Sequence, residues 1–155
     1  MAIARTVYDY LNQQVGSFET IAHPKTATSR EAADAAYVLE DHVVKAVLLK
    51  DDTGYLQVLI PASQWISLHR LQDQLNRKLE LAPESDVDKL FTDCDQGAVT
   101  LGTAYGIETI VDEALCSLSK VYLEGGDHEQ LIVLSGDQFN DLIKGLRRGH
   151  YCEQH

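Results

Sequence analysis

The chain has 155 residues, 45% hydrophobic and 24% charged, a composition that suits one globular domain with a buried core and excludes a disordered chain. Its three cysteines, Cys94, Cys116 and Cys152, are odd in number and form no CxxC pair, which excludes a disulfide framework or a cysteine zinc site and predicts a reducing, cytoplasmic setting. A net charge of −11 without a basic run argues against DNA, and any RNA is expected to be held weakly, by a terminus, or with a partner's help.

Ile3, Val7, Tyr10 and Leu11 recur at helical spacing and predict a helix over Ala4–Gln14, ended by Gly16. Phe18–Ala22 reads as a strand, and Ser29 as the N-cap of a helix over Glu31–Leu39. Val43–Leu49 and Tyr55–Ile60 flank an Asp52-Thr53-Gly54 turn, so they predict an antiparallel hairpin that Pro61 closes. Leu68, Leu71 and Leu75 place the next helix, Leu79–Leu81 a brief strand, and Asp86–Phe91 a shorter helix. After a glycine-rich loop over Gly97–Gly106 come a strand at Thr109–Val111 and a helical turn within Asp112–Leu118. Strands at Val121–Leu123 and Leu131–Leu134 flank Gly125-Gly126, and Phe139, Leu142, Ile143 and Leu146 define a last helix stopped by Gly149.

Helices and hairpins alternate irregularly, which predicts a mixed α+β fold with a curved, mostly antiparallel sheet rather than a doubly wound parallel one. The expected organisation is one domain over residues 1–155, with a core of about 18–146 and a frayed tail at 147–155. The apolar runs are too short to cross a bilayer, and no charged start leads into an apolar signal segment. No GxGxxG, Walker A or HExxH motif is present, so neither a nucleotide cofactor nor a metal is expected.

Three features stand out as candidate chemistry. Lys45 interrupts the apolar run VVKAVLL, where it shares a strand face with Val43, Val47 and Leu49. A lysine there either serves a cleft or snorkels to water at the sheet margin; the opposite face of Val44, Ala46 and Leu48 is wholly apolar, which favours the cleft. The loop holding Gly97, Ala98, Val99, Thr100 and Gly102 could turn its amides toward a carbonyl or anion, or be a purely structural turn. Gly125-Gly126-Asp127-His128 is a turn that could also set His128 beside a substrate. Cys94 adjoins the loop but has no neighbouring histidine to activate it.

The order VVKAVLL, then IPAS, then DCDQGAV…GTAYGIETIVDEAL, then GGDH…LIVLSGDQF resembles the YbaK-like and prolyl-tRNA-synthetase-associated editing domains, over about His23–Phe139. The resemblance implies a six- or seven-stranded barrel-like sheet surrounded by helices, and metal-free hydrolysis, in trans, of the ester on a mischarged tRNA. It makes the aminoacyl-tRNA 3′ end the substrate and a synthetase a candidate partner. Lys45 matches the family lysine that holds the terminal ribose and contributes to catalysis, and Gly97 opens the family's GxxxP substrate loop. His128 falls near a polar pocket position, and His23 and Thr26 match an H-x-x-T segment at the entrance. Leu101 stands where that loop has proline. The altered loop and the acidic charge leave a second reading, a non-catalytic binding or regulatory domain that docks on a synthetase or other partner.

Overall fold

The computed structural model describes residues 3–154. Its first helix, α1 (Arg5–Gln14), buries Val7 and Leu11, and strand β1 (Glu19–Ala22) follows. Helix α2 (Ser29–Ala35) is capped by Thr28, whose side chain accepts the Glu31 amide, one residue before the predicted cap. It ends at Ala35 rather than Leu39 because Tyr37 turns at φ 59°, a left-handed conformation that a continuing helix cannot contain. A 3-10 turn at Glu40–His42 leads into β2 (Val44–Asp51), β3 (Gly54–Pro61) and the short β4 (Gln64–Ile66). Helix α3 (Leu68–Leu75), β5 (Glu80–Leu81) and α4 (Glu84–Leu90) precede the glycine-rich loop, which ends in a 3-10 turn at Gly102–Tyr105. Strands β6 (Thr109–Asp112), β7 (Lys120–Glu124) and β8 (Gln130–Ser135), helix α5 (Gly136–Leu142), and β9 (Arg147–Gly149) and β10 (Cys152–Gln154) complete the chain.

The strands form three sheets with orders β5-β2-β3-β6-β9, β1-β8-β7 and β10-β4. The β3/β6 and β6/β9 ladders are parallel and the others antiparallel. A lone parallel bridge from Val43 to Tyr122 links the start of β2 to β7. The mixed α+β class therefore holds, but the six- or seven-stranded barrel does not. Among the described residues the strands divide over three sheets, and no ladder joins β5 to β9 to close a ring.

The five-stranded sheet is covered on both faces. Val44, Leu59 and Val111 pack with Leu11, Val121, Leu123, Ile132, Leu134 and Phe139 on one side. Leu49, Val58, Ile60 and Ile110 pack with Leu71, Leu79 and Tyr151 on the other. At the hairpin turn, Arg77 donates to both Asp51 carboxylate oxygens, at 2.7 and 3.0 Å, and to Glu108 at 3.1 Å. That bidentate pair ties the end of α3 to β2 and to the approach of β6.

The tail expected to fray is instead built into the fold. Strand β9 pairs with β6, β10 pairs with β4, and Tyr151 is fully buried with its amide donating to Asp112 at 2.9 Å. The last helix stops at Leu142 because Gly145, at φ 87°, turns the chain into β9. Residues 1, 2 and 155 of the expected domain lie outside the described residues.

Candidate active site

A pocket of about 200 Å³ opens where four segments meet. Lys45 and Ala46 of β2 form one wall, and Gly97 and Val99 of the loop another. Glu124 and His128 of the β7–β8 hairpin form the third, and Ala27, Thr28 and Ser29, leading into α2, the fourth. Ala46, Val99 and Glu124 also border a narrow apolar recess of about 10 Å³ lined by Val44, Leu59, Leu101, Leu123 and Phe139. The pocket thus has polar groups at its walls and an apolar recess beside it, the usual pattern of a small-ligand site.

Of the residues singled out in the sequence, Lys45, Gly97, Val99 and His128 line this pocket together. Ala98 and Thr100 are almost wholly buried, and the Thr100 hydroxyl donates to the Glu124 carbonyl at 2.6 Å. His23 is buried, its Nδ1 2.7 Å from the Pro24 carbonyl and its Nε2 without a hydrogen-bond partner among the described residues. The Thr26 amide donates to the His128 carbonyl at 3.1 Å. Ala98, Gly102, His23 and Thr26 therefore support the walls rather than line them, and Thr100 lines only the recess; the wall threonine is Thr28.

Lys45 is half-buried, and burial lowers its pKa below the ordinary lysine value; the Cys152 thiol and Glu40 oppose that shift and Arg30 adds to it. Its ammonium sits 5.5 Å from the centroid of the Trp65 ring. His128 adopts φ 61°, and its Nε2 lies 2.8 Å from the Gln96 carbonyl. Because a carbonyl only accepts, that nitrogen carries the proton, and the hairpin is pinned to the loop.

Gly97 sits at φ 77°, where a side chain would be strained, and its amide donates to Asp88 at 2.8 Å. The Ala98 amide donates to the Asp95 carbonyl and the Gly102 amide to Gln57 Oε1. Those donors are spent on the fold. The Val99, Thr100 and Leu101 amides make no hydrogen bond among the described residues; of the three only Val99 lines the pocket, so its amide is the loop donor placed for a ligand.

Sequence reasoning missed three residues that shape the site. Gln57, fully buried in β3, donates to the Thr100 carbonyl at 2.8 Å and accepts from Gly102 at 2.7 Å, clamping the loop on both sides. Glu124 accepts the amides of Gly126, Asp127 and His128 through a single oxygen, at 2.6–3.1 Å. Trp65 faces Lys45. The signal for Gln57 was present: it interrupts an apolar strand just as Lys45 does.

Cys94 is poorly set up as a nucleophile. Burial raises its thiol pKa to about 11, against the opposing hydrogen bond with Tyr105, so it stays protonated and unreactive at neutral pH. Among the described residues no group of three His, Cys, Asp or Glu side chains is arranged to hold a metal, and no helix is long and apolar enough to cross a membrane.

The fold is shared with solved structures. A crystal structure of a candidate trans-editing enzyme for prolyl tRNA synthetase is similar at TM-score 0.82 and 23% identity, over 97% of this chain and 96% of that one. The hypothetical protein APE2540 is similar at TM-score 0.82 and 24% identity, over 96% of this chain and 100% of that one. A candidate signal transduction protein from Marinobacter aquaeolei VT8 is similar at TM-score 0.77 and 20% identity, over 95% of this chain but 30% of that longer one. Comparison with curated proteins finds no significant match. The family model for the aminoacyl-tRNA editing domain matches residues 23–142, most of the chain and every wall of the pocket. This chain belongs to the aminoacyl-tRNA editing domain family.

Proposed function

We propose that the protein removes the amino acid from a mischarged tRNA by hydrolysing its ester, in trans and in the cytoplasm. The observation that carries this reading is the meeting of Lys45, the Gly97–Val99 loop and His128 around one small pocket. A water adds to the ester carbonyl carbon and gives up a proton as a tetrahedral oxyanion forms; collapse breaks the bond to the ribose oxygen, which takes up that proton. The products are a free amino acid and an uncharged tRNA end.

The ester is already activated, so the protein's task is to hold it and to stabilise negative charge. Lys45 supplies a cation for the ribose or the developing oxyanion, and the Val99 amide supplies a neutral donor. No step needs an enzyme nucleophile, in keeping with the protonated Cys94 thiol; none is routed through a metal. A pocket of about 200 Å³ suits a small aminoacyl group and would reject larger ones sterically. With a net charge of −11, the protein would grip the tRNA body weakly, so recognition centres on the aminoacylated 3′ end, with a synthetase as the partner that delivers it.

The same acidity and the Leu101 substitution favour a second reading, a binding or regulatory domain without catalysis. One experiment separates the two. tRNAs mischarged with alanine, serine or cysteine are incubated with the wild type and with Lys45→Ala, and loss of charged tRNA is followed. The expected result is hydrolysis of at least one substrate by the wild type and none by the folded variant. Full activity in Lys45→Ala removes the lysine from the mechanism, and no hydrolysis by folded wild type supports the second reading.

A further inference from the structure

Among the described residues the Lys45 ammonium lacks the carboxylate partner that a half-buried cation normally takes. Among the described residues no carboxylate lies within ion-pair distance of it; Glu40, the acidic group that acts on it electrostatically, is paired with Arg30 at 3.2 Å. The group facing it is the Trp65 ring, 5.5 Å away. A carboxylate would neutralise the lysine and take its N–H groups. An aromatic face attracts the same cation through its quadrupole, while the donors remain available.

Trp65 is placed for this by a braced strand. In β4 it lies opposite Glu153 of β10, while its neighbour Ile66 packs into the core, so alternation turns Trp65 outward, where it is 56% exposed. The preceding turn is tied on two sides: the Ala62 amide donates to the Val43 carbonyl at 2.8 Å, and the Ser63 hydroxyl donates to Asp41. Both ties lead to the segment that enters β2, so ring and lysine share one support.

We propose that Trp65 is the positioning residue for Lys45, its ring face holding the ammonium at the pocket wall without consuming the charge or the donors that a substrate needs. This rests on the reading of Lys45 as the working cation of the pocket. Other charged or titratable groups acting on the amine are Cys152 from β10, Arg30 from α2 and Glu40 from the 3-10 turn.

The test has two arms. Trp65 is the chain's one tryptophan, so its emission reports on Lys45 directly. Wild type and Lys45→Met are titrated with pH in the absence of substrate. The expected result is an emission step with a midpoint below the ordinary lysine value in the wild type, absent in Lys45→Met; identical curves overturn the contact.

In the second arm, hydrolysis of the best mischarged tRNA is compared for Trp65→Phe and Trp65→Leu. The phenylalanine variant keeps an aromatic face and is expected to stay near wild type. The leucine variant keeps apolar cover but loses the attraction for the charged amine, so kcat falls about two- to fivefold at nearly constant KM. Its basic limb moves to lower pH, because the charged lysine has lost support. Equal rates and an unmoved pH profile in the two variants overturn the positioning role. Full activity in Lys45→Ala would instead remove the lysine as the working cation, and the emission arm would still decide whether the contact exists.

Discussion

Replacing Gln57 with methionine tests whether the substrate loop is held from behind. The side chain is fully buried and makes two hydrogen bonds, to the Thr100 carbonyl at 2.8 Å and from the Gly102 amide at 2.7 Å. Methionine is close in volume, so no large cavity confounds the result. Both loop groups lose their partner in places where Thr100 and Gly102 are buried, and an orphaned buried polar group costs about 1–3 kcal/mol. Removing the buried amide itself recovers part of that, leaving a net loss of roughly 2–4 kcal/mol. For a domain of this size that lowers Tm by roughly 5–15 °C. Thermal unfolding followed by circular dichroism measures it. The loop also loses its register, and a displacement near 1 Å can cost about a hundredfold in rate, so hydrolysis should fall further than stability explains. A Tm within about 1 °C of wild type, with unchanged hydrolysis, would refute the clamp.

Two other outcomes follow from the site and the frame around it. Cys94→Ala is expected to hydrolyse at the wild-type rate, and the native thiol, at a pKa of about 11, to react sluggishly with iodoacetamide at neutral pH; loss of activity in the variant would restore Cys94 to the mechanism. Hydrogen bonds from Arg77 hold the Asp51 carboxyl well below the usual carboxylate range. A depressed folded pKa gives stability that is full above the unfolded value, about 3.9, and is lost as pH falls below it. The Tm gap between wild type and Asp51→Asn should therefore be constant near neutrality and shrink from about pH 4 downward, and a gap independent of pH would contradict the pairing.

Much of the fold was legible because it is local. The β2–β3 hairpin, α1, α3 and the β7–β8 hairpin each carry their period and their turn within one short window. What escaped was pairing across distance. β4 and β10 have three residues each and lie far apart in the chain, so neither has a pattern long enough to announce itself, yet together they carry Trp65 and bury Tyr151. The end of α5 was misplaced because Leu146 stays in phase with the helical stripe, whereas Gly145 has already turned the chain.

The site divides in the same way. Lys45 showed itself by charge in an apolar strand, and Gly97 and His128 by glycine spacing. Gln57 gave the same kind of signal as Lys45, but a neutral amide can be satisfied by backbone groups alone, and nothing local shows which backbone lies opposite. The loop donors were misjudged for a related reason. Glycines mark where the chain can turn, and they do not say which amides the fold has already used; here Asp88, Asp95 and Gln57 take those of Gly97, Ala98 and Gly102.

Three successive amides converging on one point make a cradle in which a phosphate or carboxylate would settle. At the tip of the β7–β8 hairpin the chain fills that cradle with its own Glu124. The hairpin wall therefore has no free amides to offer an anion, while the wall at Lys45 draws one in. A ligand in the pocket meets a carboxylate on one wall and an ammonium on another, and a molecule with a negative end and a positive end has one favoured way round.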